Sequence, residues 1–108
     1  MSDIFVMTRN QDNIALTSID GIAFVALLLQ AGQVLAKETV ELIYADAGFD
    51  DLPVGLYTVT VRHEGMEPRS ATRNVTISRE DEVILLTFVY LEPERVLLRL
   101  QTAVEKRL

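Results

Sequence analysis

The clearest signal along this chain is period-two alternation. From Leu56 to His63, Tyr57, Val59 and Val61 fall on one parity, and Thr58, Thr60 and Arg62 on the other. That is the pattern of a β-strand with one wet face. Ser70 to Ile77 repeats it, with Ala71, Val75 and Ile77 opposite Thr72, Asn74 and Thr76. Val83 to Leu91 differs, being apolar on both parities: Val83, Leu85, Val89 and Leu91 on one, Ile84, Leu86, Phe88 and Tyr90 on the other. Such a strand is predicted to be covered on both faces. Glu64-Gly65-Met66-Glu67-Pro68 and Ser78 to Glu82 supply the turns between these segments.

The N-terminal half is less regular. Ile4 to Thr8 predicts a first strand, Asp20-Gly21 a turn, and Ile22 to Gln30 a buried strand closed by Ala31-Gly32-Gln33. Lys37 to Ala45 predicts a half-buried strand with Val40, Leu42 and Tyr44 on its inner parity. Good helix formers between Ala23 and Ala47 leave a helix broken near Gly32 as the alternative. Asp46 to Gly55, with two glycines, a proline and three aspartates, is expected to be mostly loop. After Glu92-Pro93-Glu94, Val96, Leu100, Val104 and Leu108 recur every fourth residue. This predicts an amphipathic helix in the tail 93–108, with a return strand through Val96 to Leu100 as its rival.

The stretch Asp46 to Pro68, DAGFDDLPVGLYTVTVRHEGMEP, adds a resemblance. It is similar to the centre of carboxypeptidase regulatory-like and transthyretin-like domains, a family close to the collagen-adhesin B-type repeats. The matching residues are Gly48-Phe49, then Leu52-Pro53-Val54-Gly55-Leu56-Tyr57, then Gly65, where Met66 replaces an aromatic. Pro53 suits a turn, and Gly55 offers a backbone angle closed to other residues. The resemblance covers about Ile22 to Leu91. It implies an all-β, Greek-key, immunoglobulin-like or prealbumin-like antiparallel sandwich of seven strands. With the tail, the expected organisation is one domain over 1–108, with its core at about 4–91 and a short C-terminal helix.

Composition narrows the function. The chain has 108 residues and no cysteine, so disulfides and cysteine metal sites are excluded. Ten basic residues against sixteen acidic ones give a net charge of -6, a field that repels phosphate backbones. Arg62, Arg69, Arg73 and Arg79 are the only candidates for a basic patch, and Glu64, Glu67 and Glu80 interrupt them. Nucleic acid is therefore not an expected partner. The N-terminus lacks a basic segment followed by a long apolar one, and the longest apolar run, Ile22 to Leu29, is too short to cross a bilayer. The chain as it stands is expected to be cytoplasmic and soluble, without membrane insertion.

Candidate chemistry is sparse. His63 is the only histidine and has no nucleophile or further ligands in any motif; it reads as an ordinary strand-end residue. Asp46, Asp50 and Asp51 make an acidic cluster without EF-hand spacing, which reads as a solvated loop before a calcium site. The lysine–asparagine isopeptide bond of the adhesin repeats would place its acid at Val61, and the first strand carries Arg9 and no lysine. Asn74-Val75-Thr76 fits the glycosylation pattern by chance. Transthyretin-related hydroxyisourate hydrolases need several histidines and a Tyr-Arg-Gly-Ser tail, whereas this chain ends Glu105-Lys106-Arg107-Leu108. No catalytic residue, metal ligand or cofactor is assigned. The expected role is a non-catalytic binding or scaffold module acting through protein–protein contacts. An accessory or regulatory domain of a separate enzyme is the alternative. Self-association is a further expectation: Val83 to Leu91 and the tail would form the most hydrophobic exterior and pair across a two-fold axis in a homodimer.

Overall fold

The computed structural model describes residues 1–106, and its regular elements are all strands. Two four-stranded sheets share one core. The first, here called the terminal sheet, has the order β10-β9-β1-β6: β10 is Val96–Lys106, β9 is Glu82–Leu91, β1 is Ser2–Asn10 and β6 is Asp46–Leu52. The second, the central sheet, has the order β5-β4-β7-β8: β5 is Gln33–Thr39, β4 is Val25–Gln30, β7 is Gly55–Arg62 and β8 is Ser70–Ile77. A small hairpin of β2 (Ser18–Ile19) and β3 (Ile22–Ala23) turns at Asp20-Gly21. All pairings between neighbouring strands are antiparallel except β1 with β9, which run parallel from Asp3↔Val83 to Asn10↔Tyr90.

The alternation does what it predicts where it is cleanest. Tyr57, Val59 and Val61 of β7, Ala71, Val75 and Ile77 of β8, and Ile84, Leu86, Phe88 and Tyr90 of β9 all enter the core. They meet Ile4 and Val6 of β1, Ala26 and Leu28 of β4, and Ala47 and Phe49 of β6. Filling this space with aliphatic and aromatic side chains is the main stabilising term.

Four expectations are corrected. The tail is β10, a strand, and no helix is present there among the described residues; Arg107 and Leu108 lie outside them. A spacing of four is a multiple of two, so it suits a strand as well as a helix. Glu92 to Arg95 form a tight turn in which Arg95 takes φ 62° and its N–H returns to the Leu91 carbonyl at 2.8 Å. The free edge of β9 then supplies a hydrogen-bonding ladder that an isolated helix could not match. Asp46 to Leu52, expected as loop, is the edge strand β6, whose Ala47 and Phe49 point inward while its polar residues face out.

The half-buried strand expected over Lys37 to Ala45 instead ends at Thr39. Val40 is buried, its N–H bonded to the Phe24 carbonyl at 2.9 Å, and the chain then leaves the central sheet for the terminal one. Leu42 and Tyr44 are consequently exposed rather than inward. Gly55 keeps an ordinary backbone angle: the left-handed glycines are Gly21 and Gly32. A Cβ there would lie 3.1 Å from the Gln30 amide nitrogen, at the end of a flexible side chain.

The outer face of β9 answers how an all-apolar strand survives without a second layer. Among the described residues no further layer packs over it; its neighbours within the sheet flank it. Val89 lies in register between Arg9 of β1 and Arg99 of β10, and is 2% exposed. Leu85 sits between Phe5 and Ala103. Phe5 in turn leans over Gly48 of β6, where a Cβ would meet its ring at 2.9 Å.

Candidate functional site

The end of the sandwich where β1 and β9 finish gathers the loops 11–17, 40–45, 63–69 and 92–95 and the β2–β3 hairpin. His63 lies here, 4% exposed, with both ring nitrogens engaged. Nδ1 accepts from the Gly65 N–H at 2.9 Å, so Nε2 carries the hydrogen and donates to the Ile22 carbonyl at 2.8 Å. The ring packs on Phe24, centroids 4.6 Å apart, and Phe24 packs on Tyr90 at 5.3 Å. Burial pushes the Tyr90 phenol up to about 12. His63 is thus a buried fastener between the β3 segment and the 63–69 loop. Met66 is buried in the same loop, its N–H donating to the His63 carbonyl at 3.2 Å.

The acidic residues do not converge. Asp46 opens β6 and Asp50 follows four residues on, which puts their Cα atoms roughly 13 Å apart in an extended strand. Among the described residues no group of three or more His, Asp or Glu side chains is placed to hold a metal ion. The arginines are also dispersed. Arg62 is on the outer face of the central sheet, Arg73 reaches across the sandwich edge to the Leu100 carbonyl at 3.2 Å, and Arg79 lies at the opposite end, its carbonyl held by the Ser2 hydroxyl at 2.6 Å. Asn74 is exposed on β8 and bonds Thr58 Oγ1 at 3.1 Å; Val61 is buried in β7. No helix of the described residues is long and apolar enough to cross a membrane.

The feature that the sequence reading missed is the loop between β5 and β6. Leu42, Ile43 and Tyr44 are 67, 73 and 69% exposed, and Ile14 on the adjoining loop is 59% exposed. Bulky apolar side chains normally collapse onto the nearest core, so this backbone must be held against collapse. The Glu41 carboxylate accepts from the N–H groups of Ile43 and Tyr44. The Glu41 N–H bonds the Asp46 carbonyl at 2.9 Å, closing the loop at its base, and the Thr8 N–H takes the Ala45 carbonyl at 3.1 Å. Arg9 ties the two loops together: its main chain bridges Ala15 and its guanidinium donates to the Tyr44 carbonyl at 2.7 Å. The result is a pinned tip presenting three consecutive apolar side chains. The signal for it in the sequence is the run Leu42-Ile43-Tyr44 itself, which breaks the alternation that a half-buried strand requires.

Two shallow grooves lie elsewhere on the described surface. One of about 370 Å³ lies over Leu56, Thr58, Asn74 and Thr76 beside the Ala31-Gly32 turn, and one of about 220 Å³ lies between Arg79, Asp81 and Lys106. Neither brings a nucleophile to a base. No protein-family model matches the chain, and no curated protein matches its sequence.

Proposed function

We propose that the domain is a non-catalytic binding module acting through protein–protein contacts, and that the Leu42-Ile43-Tyr44 tip is its point of contact. The observation that carries this reading is the combination of high exposure with a fixed backbone at that tip. Ordering a loop on binding costs free energy, and a loop ordered beforehand avoids that cost. Tyrosine is also over-represented among the residues that dominate binding energy.

The fold assignment belongs to the same proposal: a prealbumin-like, Greek-key sandwich of the carboxypeptidase regulatory-like kind. It is supported by two packed sheets in which strands distant in the chain are neighbours, while the eighth long strand and the parallel β1–β9 pair depart from the seven antiparallel strands that the resemblance implies. Support also comes from inside the Leu-Pro-x-Gly-x-Tyr segment, where the Tyr57 hydroxyl donates to the Pro53 carbonyl at 2.7 Å and fixes the turn before β7.

The test is a triple variant, Leu42→Ser, Ile43→Ser and Tyr44→Ser. These side chains contribute little to the core, so the thermal midpoint should stay within a few degrees of the parent. Affinity capture from the source cell, run with parent and variant at equal loading, should then retain one protein with the parent that the variant loses. Identical captured sets would remove the tip from the proposal.

A further inference from the structure

Four strands of the sandwich have a free edge, and they differ in how far they are blunted against pairing. β5 carries a register shift between Leu28 and Leu29 of its partner and the charges Lys37 and Glu38. β6 has a register shift against β1 and three aspartates. β8 is regular but shorter, eight residues. β10 is the longest strand, eleven residues, and from Arg99 to Lys106 it contains no proline and no irregularity. A long, regular, exposed edge is a template for another strand.

The main-chain groups on that edge can be assigned. The Leu97 N–H donates to the Glu67 carbonyl at 2.9 Å, so at Leu97 the backbone groups point away from β9. The bulge between Leu97 and Arg99 inserts one residue, which moves the outward positions beyond it to Leu100, Thr102, Val104 and Lys106. The Leu100 carbonyl, bonded to Arg73 at 3.2 Å from outside the sheet, has this parity. Among the described residues no strand lies opposite the outward groups of Thr102 and Val104. Glu67 blocks the start of the strand and Arg73 holds one lone pair of the Leu100 carbonyl, which leaves its second lone pair and the outward groups of Thr102, Val104 and Lys106 to pair with another strand.

We propose that two copies of the chain pair β10 to β10, antiparallel, about a two-fold axis at Thr102. The axis sits near the middle of the regular stretch from Arg99 to Lys106. It sets Thr102 opposite Thr102 of the second copy and Leu100 opposite Val104, with their outward groups exchanging hydrogen bonds. It also sets Arg99 opposite Glu105 twice, in the closer of the two kinds of antiparallel pair, so the edge is complementary to itself in charge. Val104, 60% exposed in the single chain, gains a cross-strand apolar neighbour. Moving the axis to Gln101 sets Arg99 against Ala103 and loses both ion pairs. The terminal sheets of the two copies become one eight-stranded sheet. This surface is separate from the Leu42–Tyr44 tip, so either assignment can fail without the other.

The intact chain should sediment and scatter light as a dimer, dissociating on dilution. Thr102→Pro removes an outward N–H and leaves the β9 ladder intact, so it should give a folded monomer. Arg99→Glu and Glu105→Arg should each weaken association at least about tenfold by opposing like charges, and the double exchange R99E/E105R should restore it. The double exchange decides the register even if the proline variant misfolds. Because the chain has no cysteine, Thr102→Cys should cross-link to its own copy under mild oxidation, while Thr72→Cys on the central sheet should not. A monomer up to submillimolar concentration would overturn the proposal. So would single charge reversals that leave the dimer intact, or a dimer that Thr102→Cys fails to trap.

Discussion

The two sheets solve the same problem, a face turned to water, in different ways. On the β7–β8 half of the central sheet the outer face is polar: Thr60 pairs with Thr72 at 3.1 Å and Thr58 with Asn74 at 3.1 Å, hydroxyl and amide satisfying each other across the strands. On the terminal sheet the central strands β1 and β9 turn Phe5, Met7, Val83, Leu85 and Val89 outward, and all of these are half-buried or buried. The neighbours of that row lie within the sheet: Arg9 and Arg99 stand in register with Val89, and the Phe5 ring lies over Gly48. An apolar outer row on a central strand therefore does not require a second layer. It requires flanking strands with long or bulky side chains at the matching register.

The contrast between inner and outer faces is sharpest on β9, where consecutive residues can be compared. Leu86→Ala empties a fully buried site and should cost about 3–4 kcal/mol, whereas Leu85→Ala on the flanked outer face should cost roughly 1 kcal/mol. Urea unfolding of both variants measures the ratio; equal losses would mean that the outer face is as covered as the core. Next in size is an alkaline effect from the inner face. Tyr90 is raised to about 12 by burial, while an unfolded tyrosine ionises near 10, so stability is intact below pH 10 and is lost as pH rises toward and through 12. The loss reaches roughly 2–3 kcal/mol, and Tyr90→Phe should abolish most of it. An unchanged alkaline limit in that variant would assign the transition to other groups.

Smaller effects probe the outer faces directly. Gly48→Ala pushes a methyl into the Phe5 ring and should cost about 1–2 kcal/mol through displacement of that cover. A crystal structure of the variant with Phe5 unmoved would contradict this. On the central sheet, replacing Thr60 and Thr72 together by valine should change stability by less than about 0.5 kcal/mol, because both partners of an exposed hydrogen bond go at once. A loss above about 1 kcal/mol would show that the hydroxyl ladder stabilises rather than merely wets its face. The smallest effect is expected at the exposed bidentate pair of Asp20 and Arg95, 2.8 Å apart. The Arg95 guanidinium holds the Asp20 carboxyl below its ordinary value, so its stabilisation is present above about pH 4 and fades as pH falls through the folded-state value. Asp20→Asn should remove that acid-side dependence and little else.

Legibility followed how much of each segment's environment is local. β7 and β8 were readable because apolar and polar residues alternate along them, with Arg73 as an exception, and β9 because it is an apolar run of strand length; the ends of all three carry turn residues. β6 was hidden because its inward signal is two residues, Ala47 and Phe49, among aspartates and glycines that an edge strand tolerates and a central one does not. The tail was ambiguous because its repeat suits both periods, and the deciding partner, the edge of β9, is a property of the assembled sheet. The Leu42–Tyr44 tip could not be placed from sequence because what holds it outward, Arg9 and the Glu41 carboxylate, acts through the fold.

The parallel pairing of Ile4 with Ile84 also sets a timetable. The central sheet draws all its strands from Val25 to Ile77, mostly as neighbours in the chain, and can assemble while the rest is still being made. β1 leaves the ribosome first but must wait for β9, about 80 residues later, which at about 5–20 residues per second is a delay of roughly 4–16 s. For that interval Ile4, Phe5 and Val6 form an apolar segment with at most one of their two final neighbours in place. Refolding from denaturant should accordingly be slow for a chain of this length, in the millisecond-to-second range of folds dominated by distant contacts. A nascent chain arrested before β9 should be far more susceptible to holdase chaperones and proteases than the finished domain.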